Sequence, residues 1–334
     1  MTLEQALELH RNGQLAAAEE GYNTVLAETP EHAPALHLLA VLRHQRGDSA
    51  AAEDLLRRAL ALAPEESQFH LSLGGVQLHR GDMQAARASI ETALVLDPNS
   101  IEAHALLGHL ALQSGEGADA EARFRIGRRA DEDDPMILLG MGNVYLSRGD
   151  ATNAVKFLSR AAEGLPNDAV IQATLGQALF AQGTYSFAER ALRNALQLRP
   201  ELSTAQLFLG RALLRQERVE EAREQFAALA AAGRQPFGAN LGLGDVAQTQ
   251  GRLARAIKYY RRALAVDPAH DGAALACAAC MEQLGDAASA RACLGEALRQ
   301  LPQNEKIRAP LIAALERLAL RDAATQAPAS ETAR

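Results

Sequence analysis

The sequence predicts an all-α chain of tandem helix pairs, and three aligned series of residues predict it. Glycine stands at 13, 47, 81, 115, 149 and 183, then at 251 and 285, a step of 34 with Glu217 in the one gap. Five residues after each of these positions comes alanine: Ala18, Ala52, Ala86, Ala120, Ala154, Ala188, Ala222, Ala256 and Ala290. Seventeen after them come Pro30, Pro64, Pro98, Pro166, Pro200, Pro268 and Pro302, with Glu132 and Arg234 as exceptions. Self-similarity at such a period marks an architecture whose units bury their apolar faces on one another. Composition agrees: 48% of the 334 residues are hydrophobic, only 4% are aromatic and Trp is absent, so Ala and aliphatic side chains fill the interior.

Within each unit, numbered so that its Gly is position 15, the residues before the Gly have helical apolar spacing, as in Leu175, Gly176 and Leu179. Glycine ends that first helix because it adopts the left-handed conformation at little cost. The Asp that follows, as in Asp48, Asp82, Asp150 and Asp286, caps the second helix. Proline ends it, lacking an N–H and restricting the residue before it. The units run at about 1–32, 33–66, 67–100, 101–134, 135–168, 169–202, 203–236, 237–270 and 271–304. Thr2 with Gln5 has the capping-box pattern, so the first helix begins near the start of the sequence. Ile307, Leu311, Ile312, Leu315 and Leu318 predict one amphipathic helix over 305–321 that covers the last repeat, and Pro310 falls in its first turn or kinks it. Residues 322–334 lack apolar content and are expected to be disordered. The joints expected to bend differently are Asp131–Asp134 and Ala230–Phe237.

These residues resemble the tetratricopeptide repeat family, over residues 1–304. Repeat five carries Gly142, Tyr145, Ala154, Leu158, Ala161 and Pro166, and repeat eight carries Leu243, Gly244, Ala256, Tyr260, Ala263 and Pro268. The family's first aromatic position departs throughout, with Leu36, His70, His104, Leu138, Gln172, Gln206, Asn240 and Ala274, a change expected to loosen packing between neighbours. The resemblance implies a right-handed α-solenoid, a superhelix whose first helices line a concave groove.

At 100° per residue, positions 4, 7, 8 and 11 of the first helix form its packing face, and positions 5, 9 and 12 lie opposite. Position 9 reads His109, Asn143, Gln177, Arg211 and Asp245 from repeat four to repeat eight. Position 12 reads Leu78, Leu112, Leu146, Phe180 and Leu214 from repeat three to repeat seven, and position 5 is mostly apolar. A polar row between apolar rows predicts a groove for an amphipathic segment of a partner protein, helical or extended. The bland alternative is that these side chains only meet solvent or pack on neighbouring units.

Other motifs have structural readings. Arg-Gly-Asp at 46–48, 80–82 and 148–150 lies at the turn between helices, where Arg complements one helix end, Gly stops it and Asp caps the next. Cys277 and Cys280 have C-x-x-C spacing but fall inside a helix, so core packing is expected. Eight of nine histidines precede residue 110, yet no H-x-x-x-H pair exists and a metal site is not expected. The carboxylate-gripping Lys/Asn pairs of the family's chaperone-binding members are absent, which disfavours a chaperone-tail adaptor.

No phosphate-binding loop, zinc-protease motif or catalytic signature appears, so neither enzyme activity nor a cofactor is expected. The formal charge of −7 argues against nucleic acid. The longest uncharged stretch, Ala169–Ala188, is too polar to cross a bilayer, and no signal peptide is visible. Three cysteines suit reduced thiols and a cytoplasmic protein. The expected function is therefore a non-enzymatic scaffold or adaptor that binds a protein or peptide. Its rivals are the recognition subunit of an enzyme of the glycosyltransferase or sulfotransferase type, as in bacterial enzymes with such repeats, and a self-assembling homo-oligomer.

Overall fold

A computed structural model describes residues 1–302 and 304–326. Among them are nineteen helices and no strand. Packing divides the chain into two compact units, the first being Met1–Leu165 and the second beginning at Pro166. The first unit holds five helix pairs: α1 (Leu3–Arg11) with α2 (Leu15–Glu28), α3 (Ala33–Gln45) with α4 (Ser49–Leu62), and α5 (Ser67–Arg80) with α6 (Met83–Leu96). Its last two are α7 (Ile101–Gln113) with α8 (Gly117–Ala130) and α9 (Pro135–Ser147) with α10 (Ala151–Gly164). The second unit holds α11 (Ala169–Gln182) with α12 (Tyr185–Leu198), α13 (Ser203–Arg215) with α14 (Val219–Ala231), and α15 (Pro236–Thr249) with α16 (Leu253–Leu264). It ends with α17 (Asp271–Gln283), α18 (Ala287–Gln300) and α19 (Glu305–Gln326).

The helix ends obey the predicted chemistry. All eight glycines at position 15 have φ between 70° and 87°, and Glu217 takes the same left-handed conformation at 63°. Asp48, Asp82, Asp150 and Asp286 each accept a hydrogen bond from the backbone N–H three residues on. Thr2 and Gln5 close the capping box reciprocally. The Arg of each Arg-Gly-Asp also reaches back to the preceding repeat, pairing Arg46 with Glu19, Arg80 with Glu53 and Arg148 with Glu121. Each such pair is half-exposed on its Arg side and is worth at most about 1 kcal/mol.

Several expectations need correction. The division after Leu165 leaves each of the joints expected to bend differently inside one unit, Asp131–Asp134 in the first and Ala230–Phe237 in the second. The joint before α15 is nevertheless irregular: Gly233 and Gln235 have φ of 64° and 48°, and the helix opens on Pro236, one residue ahead of the period. At the family's first aromatic position three polar residues make local hydrogen bonds. His104 and Gln172 are buried, and His70, His104 and Gln172 all bond to the carbonyl of the proline six residues earlier, Pro64, Pro98 and Pro166, at 2.8–3.1 Å. Helix α19 runs past Arg321 to Gln326, so 322–326 are helical rather than disordered, and 327–334 lie outside the described residues. It packs through Leu311, Ala314 and Leu318, whereas Ile312 faces outward.

The core depends on a missing side chain. Position 8 of the first helix is glycine in six repeats, and a Cβ there would lie 2.4–2.7 Å from the position-24 side chain of the second helix. The pairs are Gly74 with Ile90, Gly108 with Phe124, Gly142 with Leu158, Gly176 with Leu192, Gly210 with Phe226 and Gly244 with Tyr260. Each large side chain thus lies on bare helix backbone and is fully buried, worth about 1.5–3 kcal/mol apiece. Phe124 and Phe226 are further clasped by a glycine of the following repeat, Gly140 and Gly242, at 2.2 and 2.5 Å from a virtual Cβ.

This geometry reverses the usual sign of a glycine substitution. Gly75 has open space around it, so Gly75→Ala should stabilise its helix by about 0.5–1 kcal/mol. Gly140→Ala should instead destabilise by about 1–3 kcal/mol, because the new methyl collides with Phe124. Thermal unfolding followed by circular dichroism distinguishes the two, and a Gly140→Ala protein as stable as wild type would refute the clasp.

Candidate functional site

A first helix in these stacks buries two stripes rather than one. Position 10 is buried in every repeat from two to nine, as in Leu42, Val76, Leu110, Val144, Ala178, Ala212, Val246 and Cys280, alongside positions 3 and 8. What remains open within each unit is a narrow strip centred on position 9, with positions 2 and 13 around it. The ten residues singled out from the sequence are all half-buried: His109, Asn143, Gln177, Arg211 and Asp245 at position 9, and Leu78, Leu112, Leu146, Phe180 and Leu214 at position 12. Position 5 does not belong to the strip, since Leu71, Ala105, Leu139, Ala173 and Leu207 are buried. A single-face reading of the helix missed position 6, where Thr174 and Phe208 are half-buried, and position 2, where Val170 and Thr204 are exposed.

In the second unit the strip dips between α11 and α13 into a hollow lined by Val170, Ala173, Thr174, Gln177, Thr204 and Phe208. Phe180 meets Phe208 edge to face at 5.7 Å. The Arg211 guanidinium lies 5.3 Å from the centre of the same Phe208 ring. Burial pulls the Arg211 pKa down, opposed by the charge of Asp245 on the next first helix. Among the described residues Arg211 makes no ion pair within 4 Å, and the side chains of Asn143 and Gln177 make no hydrogen bond.

The other two polar residues of the row are already committed. Asp245 accepts a 2.8 Å hydrogen bond from the Tyr260 hydroxyl, and burial raises its pKa against the pull of Tyr260, Arg211 and Arg215. His109 is bonded to the carbonyl of Ala105 at 2.8 Å and stands edge-on to Phe124. No group of three or more His, Cys, Asp or Glu among the described residues is placed to hold a metal ion.

The N-terminal histidines join successive first helices of the first unit. His10 bonds to Tyr22 and Gln45, His37 bonds to Ser72 at 2.8 Å and stacks on Phe69, and the buried Ser49 hydroxyl sits between His44 and His79 at 3.1 and 3.2 Å. One hydroxyl proton serves two imidazoles here, so Ser49 donates to one ring while the other donates to it. Burial lowers the pKa of His37 and His109, and burial followed by the charge of His79 lowers that of His44. The folded pKa of each lies below its unfolded value, so folding favours the neutral ring. Stability is then fully present above about pH 6.5 and is lost as pH falls below that value. The thermal midpoint should drop between pH 7 and 5, with a smaller drop in His109→Gln. Equal slopes in the two proteins would contradict this linkage.

The comparisons with known proteins agree with the geometry. A family model described as the cilia and flagella-associated protein 70 C-terminal domain matches residues 2–188, and tetratricopeptide repeat models match 174–238 and 247–328. No curated protein sequence matches. Among solved structures, the APC/C hetero-tetramer Cut9–Hcn1 aligns with a TM-score of 0.68 at 16% identity over 80% of this chain and 52% of the other. This chain thus spans about half the length of that relative. A tetratricopeptide repeat protein from Parabacteroides merdae aligns with a TM-score of 0.55 at 18% identity, over 73% of this chain and 96% of that one. PilF of Pseudomonas aeruginosa aligns at 0.52 and 20% identity, over 61% and 93%. At these identities the likeness is one of fold. Period, helix pairing and family models together make this chain a member of the tetratricopeptide repeat family.

Proposed function

We propose that this chain is a non-enzymatic scaffold that captures segments of a partner protein on the open strips that the first helices carry within each of its two units. The observation that carries the reading is the set of polar heads with no internal bond. Asn143, Gln177 and Arg211 stand half-buried without a hydrogen-bond or ion-pair partner among the described residues. Apolar neighbours border them, Leu146 in the first unit and Phe180 and Leu214 in the second. Half-desolvated donors beside apolar surface gain from a ligand that supplies acceptors and apolar side chains together. The cation of Arg211 on Phe208 suits a carboxylate or a backbone carbonyl.

Tetratricopeptide repeats make an interaction scaffold in general, and no helix among the described residues is long and apolar enough to cross a membrane. The partner contributes the apolar and acceptor groups, and no catalytic step is required of this chain.

The test uses the full chain as bait in an extract of its source organism, followed by affinity measurement with the purified partner. Removing all three heads in Asn143→Ala/Gln177→Ala/Arg211→Ala should weaken binding by about 100-fold, at about 1 kcal/mol per lost bond. Arg193→Ala, on the exposed side of a second helix, serves as the control and should leave affinity unchanged. If the triple variant binds as tightly as wild type while remaining folded, the strips are not the docking surface.

A further inference from the structure

Position 21, on the second helix, is glutamate in repeats one, two, four and six, where Glu19, Glu53, Glu121 and Glu189 each hold two arginines. Repeat eight has Ile257 there instead. Of the second helices among the described residues, α16 alone contains no Asp or Glu, and α2 alone contains no Lys or Arg.

Arg255, Lys258, Arg261 and Arg262 of α16 are all exposed, and none makes an ion pair within 4 Å among the described residues. Several of them stand three or four residues apart, a spacing at which like charges repel along a helix. Tyr259 orders two of the four: the Arg255 and Arg262 guanidiniums each lie 5.8 Å from its ring centre. Seven residues separate those two arginines, about 10 Å along the axis. On the neighbouring second helices the charge reverses, with exposed Glu220 and Glu224 on α14 and Glu296 on α18. The cationic face is therefore one helix wide. A nucleic-acid duplex or an anionic bilayer would meet those carboxylates as well; a single acidic helix laid along α16 would not.

Such a helix exists in the same chain. Before Arg43 the sequence has six carboxylates and one Lys or Arg, Arg11. Glu19 is taken by Arg43 and Arg46. Glu20 and Glu28 of α2 and Glu31 just after it are exposed, and none makes an ion pair among the described residues. Glu20 and Glu28 are eight residues apart, about 12 Å along the axis, close to the span from Arg255 to Arg262. Thr24 and Ala27, small and exposed, lie between them and leave room for the Tyr259 ring.

We propose that α16 of one copy of this chain binds α2 of a second copy, with Arg255 and Arg262 meeting Glu20 and Glu28. A guanidinium takes a carboxylate through two parallel hydrogen bonds, which fixes register as well as sign. Because one patch meets a different patch, each copy in a pair still offers one free α2 or α16, and assembly continues into a ring or an open chain. The contact uses second helices, and so does not depend on the strips proposed for partner capture.

Sedimentation velocity of the full chain over about a hundredfold range of concentration tests this in about 0.1 M and about 1 M salt, between which the Debye length falls from about 10 Å to about 3 Å. In the lower salt the weight-average mass should climb above the 35.6 kDa of one chain, and in the higher salt it should stay at that value. Arg255→Glu/Arg262→Glu and Glu20→Arg/Glu28→Arg should each remain monomeric, since α2 and α16 then carry the same sign. An equimolar mixture of the two variants should associate again, because each offers the sign that the other lacks. A wild-type chain that stays monomeric throughout, association that persists in the higher salt, or a mixture whose components sediment apart would overturn the proposal. So would a monomeric chain that binds a single-stranded thymidine oligonucleotide or phosphatidylserine vesicles through Arg255 and Arg262, which would assign α16 to a phosphate-bearing ligand. The wild-type series decides the matter even if a variant fails to fold.

Discussion

A side chain that is absent organises each repeat. With hydrogen at position 8 of the first helix, the second helix can lay a leucine, isoleucine, phenylalanine or tyrosine directly on the backbone opposite. A methyl group there would leave no room at 2.4–2.7 Å, and the two axes would have to separate. The helical cost of glycine, about 1 kcal/mol against alanine, is therefore smaller than the packing it permits. Where position 24 is phenylalanine, the next repeat yields as well: Gly140 answers Phe124 and Gly242 answers Phe226. Where it is Leu192, position 6 of the next repeat carries a real side chain, Phe208.

The same position reaches the open strip from beneath. The Tyr22 hydroxyl ends on His10, the Phe124 edge meets His109, and the Tyr260 hydroxyl ends on Asp245. A buried phenol needs a partner, and the strip supplies it. Tyr260 consequently holds Asp245 in place and its own pKa is pushed up by burial and by that carboxylate. Aliphatic Leu158 and Leu192 ask for nothing, so Asn143 and Gln177 on the helices above them stay unbonded.

The period, the helix boundaries and the caps were legible because each rests on local chemistry: a left-handed glycine, an Asp acceptor, a proline without N–H. The open strip was half legible. A rule of one buried face per helix suits a helix on a flat support, but a helix inside a stack meets its own partner and both neighbours, so position 5 goes under and position 2 comes out. Contacts between residues far apart in sequence left less trace. The bonds from His70, His104 and Gln172 to proline carbonyls could have been found, since a polar residue recurs six positions after a recurring proline. Low apolar content hides the extension of α19 to Gln326, although Ala-rich chain continues a helix already nucleated.

The strip divides by what its polar groups bond to. From His10 to His79 the side chains bridge consecutive first helices, through Gln45, Ser72 and Ser49, so hydrogen-bonding capacity is spent on holding the stack. At Asn143, Gln177 and Arg211 the same capacity is unspent. A ligand that bound over the histidine bridges would first have to break internal bonds and would gain only the difference. One that bound at the free heads would recover what their partial burial has already cost. Repeats with one fold therefore take on unequal roles: those at the start of the chain fix the geometry, and those at its centre hold the open valences.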